Sequence, residues 1–367
     1  VTFDDMPNCI NWRLSDGDNF IACSKNKIVK FDGINQPIEY SEDVPAISSV
    51  ALYAGRLFAT SSGDENILWF SDDLNPMNWK KSQFEGGYIE LGGERGRLKK
   101  VIESNNYLYI IRDFGITRLT GWGMQSDFVV KNMYLTTGKL YYNSAVLCGN
   151  LIMMLCKDGI YCFDGNSMQK INVGLDKFFE NVDNSNAVGA FLEGKYYLAC
   201  RLNYNDDNFV GCENGEYINN TLIEFDLSNG EINISRGVDI SYMYAVQAPK
   251  ISKLVLCVNG ENQDKLFELT HNGCVFGVPT HKIWTSPLTD MGYPNYKKVL
   301  KSITLNTSSD IDIEINMDNK KYAFLVKGDT NPVRVPLNVI GNKFSITFSC
   351  KTENCEISNP QLLVSLC

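Results

Sequence analysis

A pair of short apolar segments joined by a polar turn returns six times along this chain, and no other feature of the sequence constrains the fold as strongly. Several copies close with an aromatic residue and turn residues, as in Phe31-Asp32-Gly33 and Phe163-Asp164-Gly165. Four-stranded blades of β-propellers recur at about this spacing, ~47 residues on average. The repeat therefore predicts an all-β fold whose main part is a propeller of about six blades. The copies begin near Phe20, Leu57, Tyr107, Leu151, Tyr196 and Leu254.

The two segments of each pair are almost continuously apolar, which is typical of strands covered on both faces. A strand of small residues precedes most pairs, as in residues 48–52 and 144–147, and small residues suit an innermost strand where blades crowd around the axis. Only residues 174–181 predict a short helical turn. The predicted pairs are 20–23 with 28–31, 57–60 with 67–70, 107–111 with 116–119, 151–155 with 159–163, 196–199 with 222–225, and 254–257 with 265–269.

The pattern changes around Trp284, and from Lys301 onward apolar and polar residues alternate. Period-two alternation is typical of antiparallel strands with one face in a core and the other in water. Five or six such strands predict a small β-sandwich. The sequence thus predicts two domains, a β-propeller over residues 1–284 and an antiparallel β-sandwich over residues 285–367. The alternating apolar residues are Ile303, Leu305, Ile311, Ile313, Ile315, Val333, Val335, Leu337, Phe344, Ile346 and Phe348.

The net charge of −9 is unevenly distributed along the chain. Residues 1–284 carry 25 basic and 35 acidic side chains, whereas residues 285–367 carry 9 and 8. An acidic surface repels the phosphates of nucleic acids, so no nucleic-acid partner is expected for the first domain. The acidity favours solubility, and attraction of a basic partner protein is the alternative interpretation.

No stretch approaches 18 consecutive apolar residues, so no membrane span is expected. The first residues lack the basic and apolar regions of a signal peptide. Five of the twelve cysteines lie within apolar strand segments, where a free thiol behaves as a small hydrophobe. Cys350 and Cys355 could bridge a turn, but we expect reduced thiols and maturation in a reducing cytoplasm. Without a Cys-x-x-Cys pair, and with only His271 and His281, the sequence predicts no metal and no cofactor.

A propeller enzyme of the sialidase type needs a cluster of arginines that binds a carboxylate. Sialidases also repeat an Asp-box, and residues 71–79 resemble that motif once, with one extra residue and no glycine. We interpret this segment as a turn closed by Trp79. Among the nine arginines, the candidates for such a cluster are Arg56, Arg95, Arg97, Arg112 and Arg118.

Glycoside hydrolysis would instead need paired carboxylates. Nothing in the sequence distinguishes the available acidic residues, and two histidines give little support for a Ser-His-Asp triad. We therefore expect a protein that is not an enzyme, with no catalytic, cofactor-binding or metal-binding residues. The carboxylates considered are Asp64, Glu65, Asp72 and Asp73.

Two segments of the chain carry a resemblance to known proteins. Residues 55–59, continuing to 68–72 and 75–79, are similar to a stretch of phage proteins with propeller folds. Residues 284–292, continuing to 297–301, resemble the junction of tail and neck proteins between a propeller and a terminal β-sandwich. The resemblance implies a structural component of a phage particle, in the tail, neck or a ring, made in the host bacterial cytoplasm and held in several copies in the virion.

The function that we expect is therefore contact with other virion proteins and with further copies of the same chain. Residues 204–220, an Asn-, Asp- and Gly-rich loop, and the edge strands of the sandwich are the candidate contact sites. The alternative is recognition of a host surface glycan by aromatic residues at the propeller mouth, and a sialidase-like glycosidase is a third possibility. The candidate glycan-binding aromatics are Tyr141, Tyr142, Trp122 and Trp12.

Overall fold

The computed structural model describes residues 2–3, 5–80, 86–122, 124–136, 138–171, 174–204, 217–260, 265–270, 273–353 and 355–367. The chain divides into two compact units, Val1–Glu268 and Leu269–Cys367. The predicted boundary lay at residues 284 and 285. The structure places it earlier because a strand around Trp284 pairs with a strand of the second unit.

Six antiparallel sheets follow one another among the described residues of the first unit, and in each the strands are hydrogen-bonded in chain order. Sheet 1 contains β1 (Asn8–Leu14), β2 (Gly17–Ser24), β3 (Lys27–Phe31) and β4 (Ile38–Tyr40). Sheet 2 contains β5 (Ile47–Tyr53), β6 (Arg56–Ser61), β7 (Ile67–Phe70) and β8 (Gly87–Glu90). Sheet 3 contains β9 (Leu98–Ser104), β10 (Tyr107–Arg112), β11 (Gly115–Thr120) and β12 (Val129–Leu135).

Sheets 4 and 5 repeat this plan, and sheet 6 has three strands among the described residues. Two short 3-10 helices in the same part of the chain, Gln125–Asp127 and Asp176–Phe179, lie in connections. Sheet 4 contains β13 (Leu140–Cys148), β14 (Leu151–Cys156), β15 (Gly159–Phe163) and β16 (Met168–Lys170). Sheet 5 contains β17 (Val188–Leu192), β18 (Lys195–Cys200), β19 (Thr221–Asp226) and β20 (Ile232–Arg236). Sheet 6 contains β21 (Ile240–Ala248), β22 (Ile251–Val258) and β23 (Leu266–Glu268).

The first strands of successive sheets lie side by side and are linked by side-chain hydrogen bonds. Asn8 of β1 donates to the Ser48 carbonyl oxygen of β5 at 3.2 Å, and Ser49 Oγ accepts the Val101 N–H of β9 at 3.2 Å. Lys100 Nζ of β9 donates to the Ala145 carbonyl oxygen of β13 at 2.7 Å, and burial lowers the pKa of Lys100 to about 8. The first strands are therefore the innermost, as their small residues predicted.

The apolar core of this unit lies between neighbouring sheets. Each predicted strand pair forms the second and third strands of one sheet, and in sheets 2 to 5 these strands are covered on both sides because a sheet lies on each. The fold is an all-β, β-propeller-type architecture, as predicted, and the exact number of blades stays a prediction. Fully buried residues at the successive interfaces are Ile21 and Leu57, Phe58 and Leu108, Ile111 and Ile152, and Met153 and Leu198.

The second unit contains two sheets around one core, together with the small hairpin β24 (Cys274–Val275) and β25 (Val278–Pro279). Seven strands form the two sheets, where five or six were predicted, because β26, β29 and β32 lack the strict alternation of the others. One sheet has the order β26 (Lys282–Thr285), β31 (Phe344–Cys350), β28 (Ile311–Met317), β29 (Lys320–Val326). The other has the order β30 (Val333–Gly341), β27 (Lys298–Thr307), β32 (Ile357–Leu366).

Candidate functional site

Sheet 6 has one face with several apolar side chains that are exposed or half-exposed to solvent. Antiparallel register places Tyr242 opposite Cys257, Tyr244 opposite Val255, and Leu266 opposite Cys257. These side chains therefore share one side of the sheet, which we call the uncovered face. Its most exposed member, Leu266, is 71% accessible to solvent. The uncovered face consists of Tyr242, Tyr244, Val246, Val255, Cys257 and Leu266.

The opposite side of sheet 6 is buried. Met243, Leu254 and Leu256 alternate with the exposed residues and are almost inaccessible to solvent. They lie toward sheet 5, whose strand β17 contacts β21 and β22 and whose Tyr197 is also buried. The two sides of one sheet thus differ in solvent exposure although both are apolar.

The uncovered face meets sheet 1 near the innermost strands. The Cys9 thiol of β1 and the Tyr244 hydroxyl of β21 are hydrogen-bonded to each other. Desolvation raises the pKa of the Cys9 thiol, and this hydrogen bond partly offsets that rise. Val246, two residues after Tyr244 on β21, remains exposed, as do Leu266 of β23 and Phe20 of sheet 1. The contact of sheets 1 and 6 thus leaves apolar side chains of both sheets in solvent.

The sequence analysis did not identify this face. Residues 240–248 form an apolar segment like the other inner strands, and its alternation of Tyr with Met and Ala does not show which side is covered. The only available signal was the pair of tyrosines at positions 242 and 244, since tyrosine is enriched in protein interfaces.

Three of the arginines considered as a carboxylate-binding cluster lie close together, around the connection from β8 to β9. Arg112 is buried and donates to the Gly96 carbonyl oxygen at 2.9 Å through Nε. Arg95 Nε donates to the Tyr134 carbonyl oxygen at 3.0 Å. Burial lowers the pKa of Arg112. Arg112 therefore fixes the main chain of this connection, and Arg95 links the connection to β12.

Arg97, the third of these arginines, is bound by carboxylates. Its Nε lies 3.0 Å from Asp113 Oδ2 and its Nη1 lies 3.0 Å from Glu65 Oε2. Lys99 Nζ reaches the other oxygen of Glu65 at 2.5 Å. Hydrogen bonds from Lys99 and from Arg97 lower the pKa of Glu65. Glu65, one of the four carboxylates considered for glycoside chemistry, is thus paired with two cationic side chains.

The segment that resembles an Asp-box is a turn closed by Trp79, as interpreted. Trp79 is buried in the core between sheets 1 and 2, and its Nε1 donates to the Pro76 carbonyl oxygen at 3.0 Å. Ser71 Oγ accepts the Leu57 N–H at 3.0 Å, and Arg56 Nη1 donates to the Ser71 carbonyl oxygen at 2.9 Å. Asp72 Oδ1 accepts the N–H of the following residue at 2.7 Å. The motif therefore joins β7 to the core.

The remaining residues considered in the sequence are dispersed. Arg118 lies over the ring of Tyr107 at 4.3 Å from its centroid. Asp64 lies in the connection before β7, and Asp73 lies beside the turn at Gly55. His281 is exposed in the second unit, whereas His271 lies outside the described residues. Most of the loop at residues 204–220 also lies outside them.

The four candidate glycan-binding aromatics have different environments. Trp12 and Tyr141 are buried in cores between sheets, and Tyr142 is half-buried. Trp122 is 78% exposed, more than any other tryptophan among the described residues. Only Trp122 of the four thus presents its ring to solvent.

The cysteines of the described chain are free thiols, including Cys350 and Cys355. These two side chains are hydrogen-bonded to each other, and burial is the main cause that raises the pKa of Cys355, to about 11. Among the described residues, no group of three or more His, Cys, Asp or Glu side chains has an arrangement that could hold a metal ion. Within the same residues, no helix is long and apolar enough to span a membrane.

No family model matches the sequence, and no curated protein matches it. Among solved structures, the chain is similar to one from a complex of S. cerevisiae Dbp5 with Nup159, Gle1, IP6 and ADP. The identity is 14%, the coverage 70% of this chain and 72% of that one, and the TM-score 0.43. It is also similar to the extracellular domain of a hybrid two-component system from B. thetaiotaomicron, at 12% identity, 96% and 49% coverage and a TM-score of 0.47. At these identities the similarity concerns the fold alone.

Proposed function

We propose that the chain is a non-enzymatic structural component of a bacteriophage particle that contacts other virion proteins and further copies of itself. The observation that carries the assembly part of this proposal is the uncovered face of sheet 6. The virion part rests on the resemblance of residues 55–79 and 284–301 to phage proteins. Free thiols in the described chain are compatible with folding in the host cytoplasm.

The uncovered face has the chemistry of a protein-binding surface. Two tyrosines supply large contact areas with a polar tip, and tyrosine is enriched in interfaces. Val246 and Leu266 add aliphatic area, and burial of apolar surface stabilises a complex by roughly 25 cal/mol per Å² before the costs of association. Lys253 and Glu268, which form an ion pair with 2.6 Å between Nζ and Oε2, border this area. A polar rim around an apolar centre is the usual anatomy of an interface.

Light scattering coupled to size exclusion tests the assembly part. We expect the full chain to form an oligomer at micromolar concentration, and Val246→Asp to convert it to a monomer because it replaces an apolar contact with a carboxylate that would lose its hydration in the interface. The matched control is Val129→Asp, an exposed valine on the outer strand of sheet 3, which should leave the oligomer intact. A monomeric wild-type chain, or equal masses for the two variants, would contradict the proposal.

The virion part needs a separate measurement. Mass spectrometry of particles purified from cells that produce the protein should find it at a fixed ratio to the other particle proteins. Its absence from intact particles would refute the virion role and would leave the assembly result unaffected.

Recognition of a host surface glycan is the alternative function. The observation that favours it is Trp122, whose ring is exposed beside a small cavity. Glycan binding and particle assembly use different parts of the first unit, so the two functions are tested independently.

A further inference from the structure

A small cavity opens where three connections of sheets 2 and 3 converge. It is lined by Tyr53 at the end of β5 and Ala54 after it, by Glu103 near the end of β9 and Asn106 in the β9–β10 turn, and by Trp122 after β11. Its volume is about 150 Å³. Pockets for drug-sized ligands are larger, at about 300–1,000 Å³. The cavity therefore suits a single small ring with its remaining groups in solvent.

The main chain next to Trp122 is held in place by hydrogen bonds to Tyr53. The buried Tyr53 hydroxyl accepts the Gly121 N–H at 3.1 Å and lies 3.3 Å from the Gly121 carbonyl oxygen, to which it donates. These two contacts anchor the residue that precedes Trp122. The exposed indole thus projects from a fixed main chain, which reduces the entropy lost when a ligand packs on it.

The polar residues that line the cavity, Glu103 and Asn106, flank the β9–β10 turn. Asn105 and Asn106 both have positive φ, at 52° and 61°, which is the conformation of a tight hairpin turn. The Asn106 N–H donates to Glu103 Oε1 at 3.2 Å, so the turn orients the carboxylate. Glu103 and Asn106 thus line the same cavity as the exposed Trp122.

We propose that this cavity binds a neutral sugar ring of a saccharide. A pyranose has a face of C–H groups, which suits the negatively charged face of the Trp122 indole. Its edge carries hydroxyl groups, which can donate to the Glu103 carboxylate in strong charge-assisted hydrogen bonds and exchange hydrogen bonds with the Asn106 amide. Glu103 also repels a carboxylate or phosphate on the ligand, which excludes acidic sugars.

The size of the cavity sets the expected affinity. One ring with one stacked face and a few hydrogen bonds gives binding in the millimolar range, about −4 kcal/mol. Several copies in one assembly would raise the overall affinity through multivalency. The inference deepens the glycan-recognition alternative, and it does not depend on the virion role or on the uncovered face.

Saturation-transfer NMR with the full chain tests the inference. The probes are glucose, galactose, N-acetylglucosamine and rhamnose, each up to about 100 mM so that millimolar binding saturates. We expect at least one probe to bind, Trp122→Ala to weaken it by about tenfold or more, and Trp122→Phe to retain most of it because a ring remains. Glu103→Gln should also weaken binding, since the neutral amide loses the charge-assisted hydrogen bond.

The matched control is Trp284→Ala, which removes an exposed tryptophan from the second unit and should leave binding unchanged. Unchanged circular dichroism and melting temperature would show that each variant folds. The inference is overturned if the wild-type chain transfers saturation to none of the four sugars, or if Trp122→Ala binds them as the wild type does. Either result would leave the test of assembly through Val246 standing.

Discussion

At the scale of single residues, the aspartate that closes several copies of the repeat orders a turn. Asp32 Oδ1 accepts the N–H groups of Ile34 and Asn35 at 2.9 and 2.8 Å. Asp164 Oδ1 does the same for Asn166 and Ser167, at 2.8 and 2.7 Å. Aspartate is favoured in such turns because its side chain can replace a main-chain acceptor. The recurrent Phe-Asp-Gly motif therefore marks the end of the third strand of a sheet.

These hydrogen bonds predict an acid-sensitive contribution to stability. The Asn35 side-chain amide and then the two N–H groups lower the pKa of Asp32 to about 2, whereas an unfolded aspartate titrates near pH ~3.9. A depressed native pKa contributes stability above the unfolded value, which is lost as the pH falls toward 2. Asp32→Asn keeps an acceptor that does not titrate, so it should flatten part of the pH dependence of the unfolding free energy between about pH 4 and pH 2. Identical pH profiles from urea unfolding of the two proteins would contradict this.

At the scale of elements, the innermost strands approach so closely that side-chain size is limiting. A Cβ added at Gly189 of β17 would lie 2.4 Å from the Ser144 carbonyl oxygen of β13 and 2.9 Å from Val146 Cγ2. The first atom belongs to the main chain of the neighbouring sheet and cannot move aside as the end of a side chain could. Glycine at this position thus permits sheets 4 and 5 to pack at their innermost strands.

Gly189→Ala should therefore destabilise the first unit by about 1–3 kcal/mol, the usual cost of overpacking. Gly92→Ala is the control, because a Cβ there would meet no atom within 4 Å and Gly92 is exposed. We expect the control to change the unfolding free energy by less than about 0.5 kcal/mol. Urea unfolding monitored by circular dichroism gives both values, and equal values for the two variants would show that the strands can separate without cost.

The elements that the sequence predicted are those with a local signal. The second and third strands of the sheets in the first unit are mostly apolar, so segments such as 67–70 coincide with observed strands. The outer strands β4 and β16 have three residues each and are mostly exposed, so no apolar pattern revealed them. Trp12 and Trp122 could not be told apart in the sequence, because the burial of one and the exposure of the other depend on distant loops and sheets. The uncovered face escaped prediction for the same reason.

At the scale of the whole molecule, two units with separate cores share one chain. The core of the second unit consists of residues from β27 to β32, and Ile313 at its centre is fully buried. The strand β26, which contains Trp284, pairs with β31 and so belongs to this unit. A sheet pair of this length, about 100 residues, buries enough apolar surface to fold as an independent domain.

Residues 269–367 alone should therefore fold and unfold cooperatively. Ile313→Ala should lower the unfolding free energy of the isolated unit by about 2–5 kcal/mol, because it leaves a cavity in a packed core. Ile340→Ala, at a position that is 58% exposed on β30, is the matched control and should cost less than about 1 kcal/mol. The fluorescence of Trp284, the sole tryptophan of this segment, reports urea unfolding in both cases. If the isolated segment lacked a cooperative transition, its strands would depend on the first unit for stability. The segment after Leu269 would then be a compact unit that does not fold on its own.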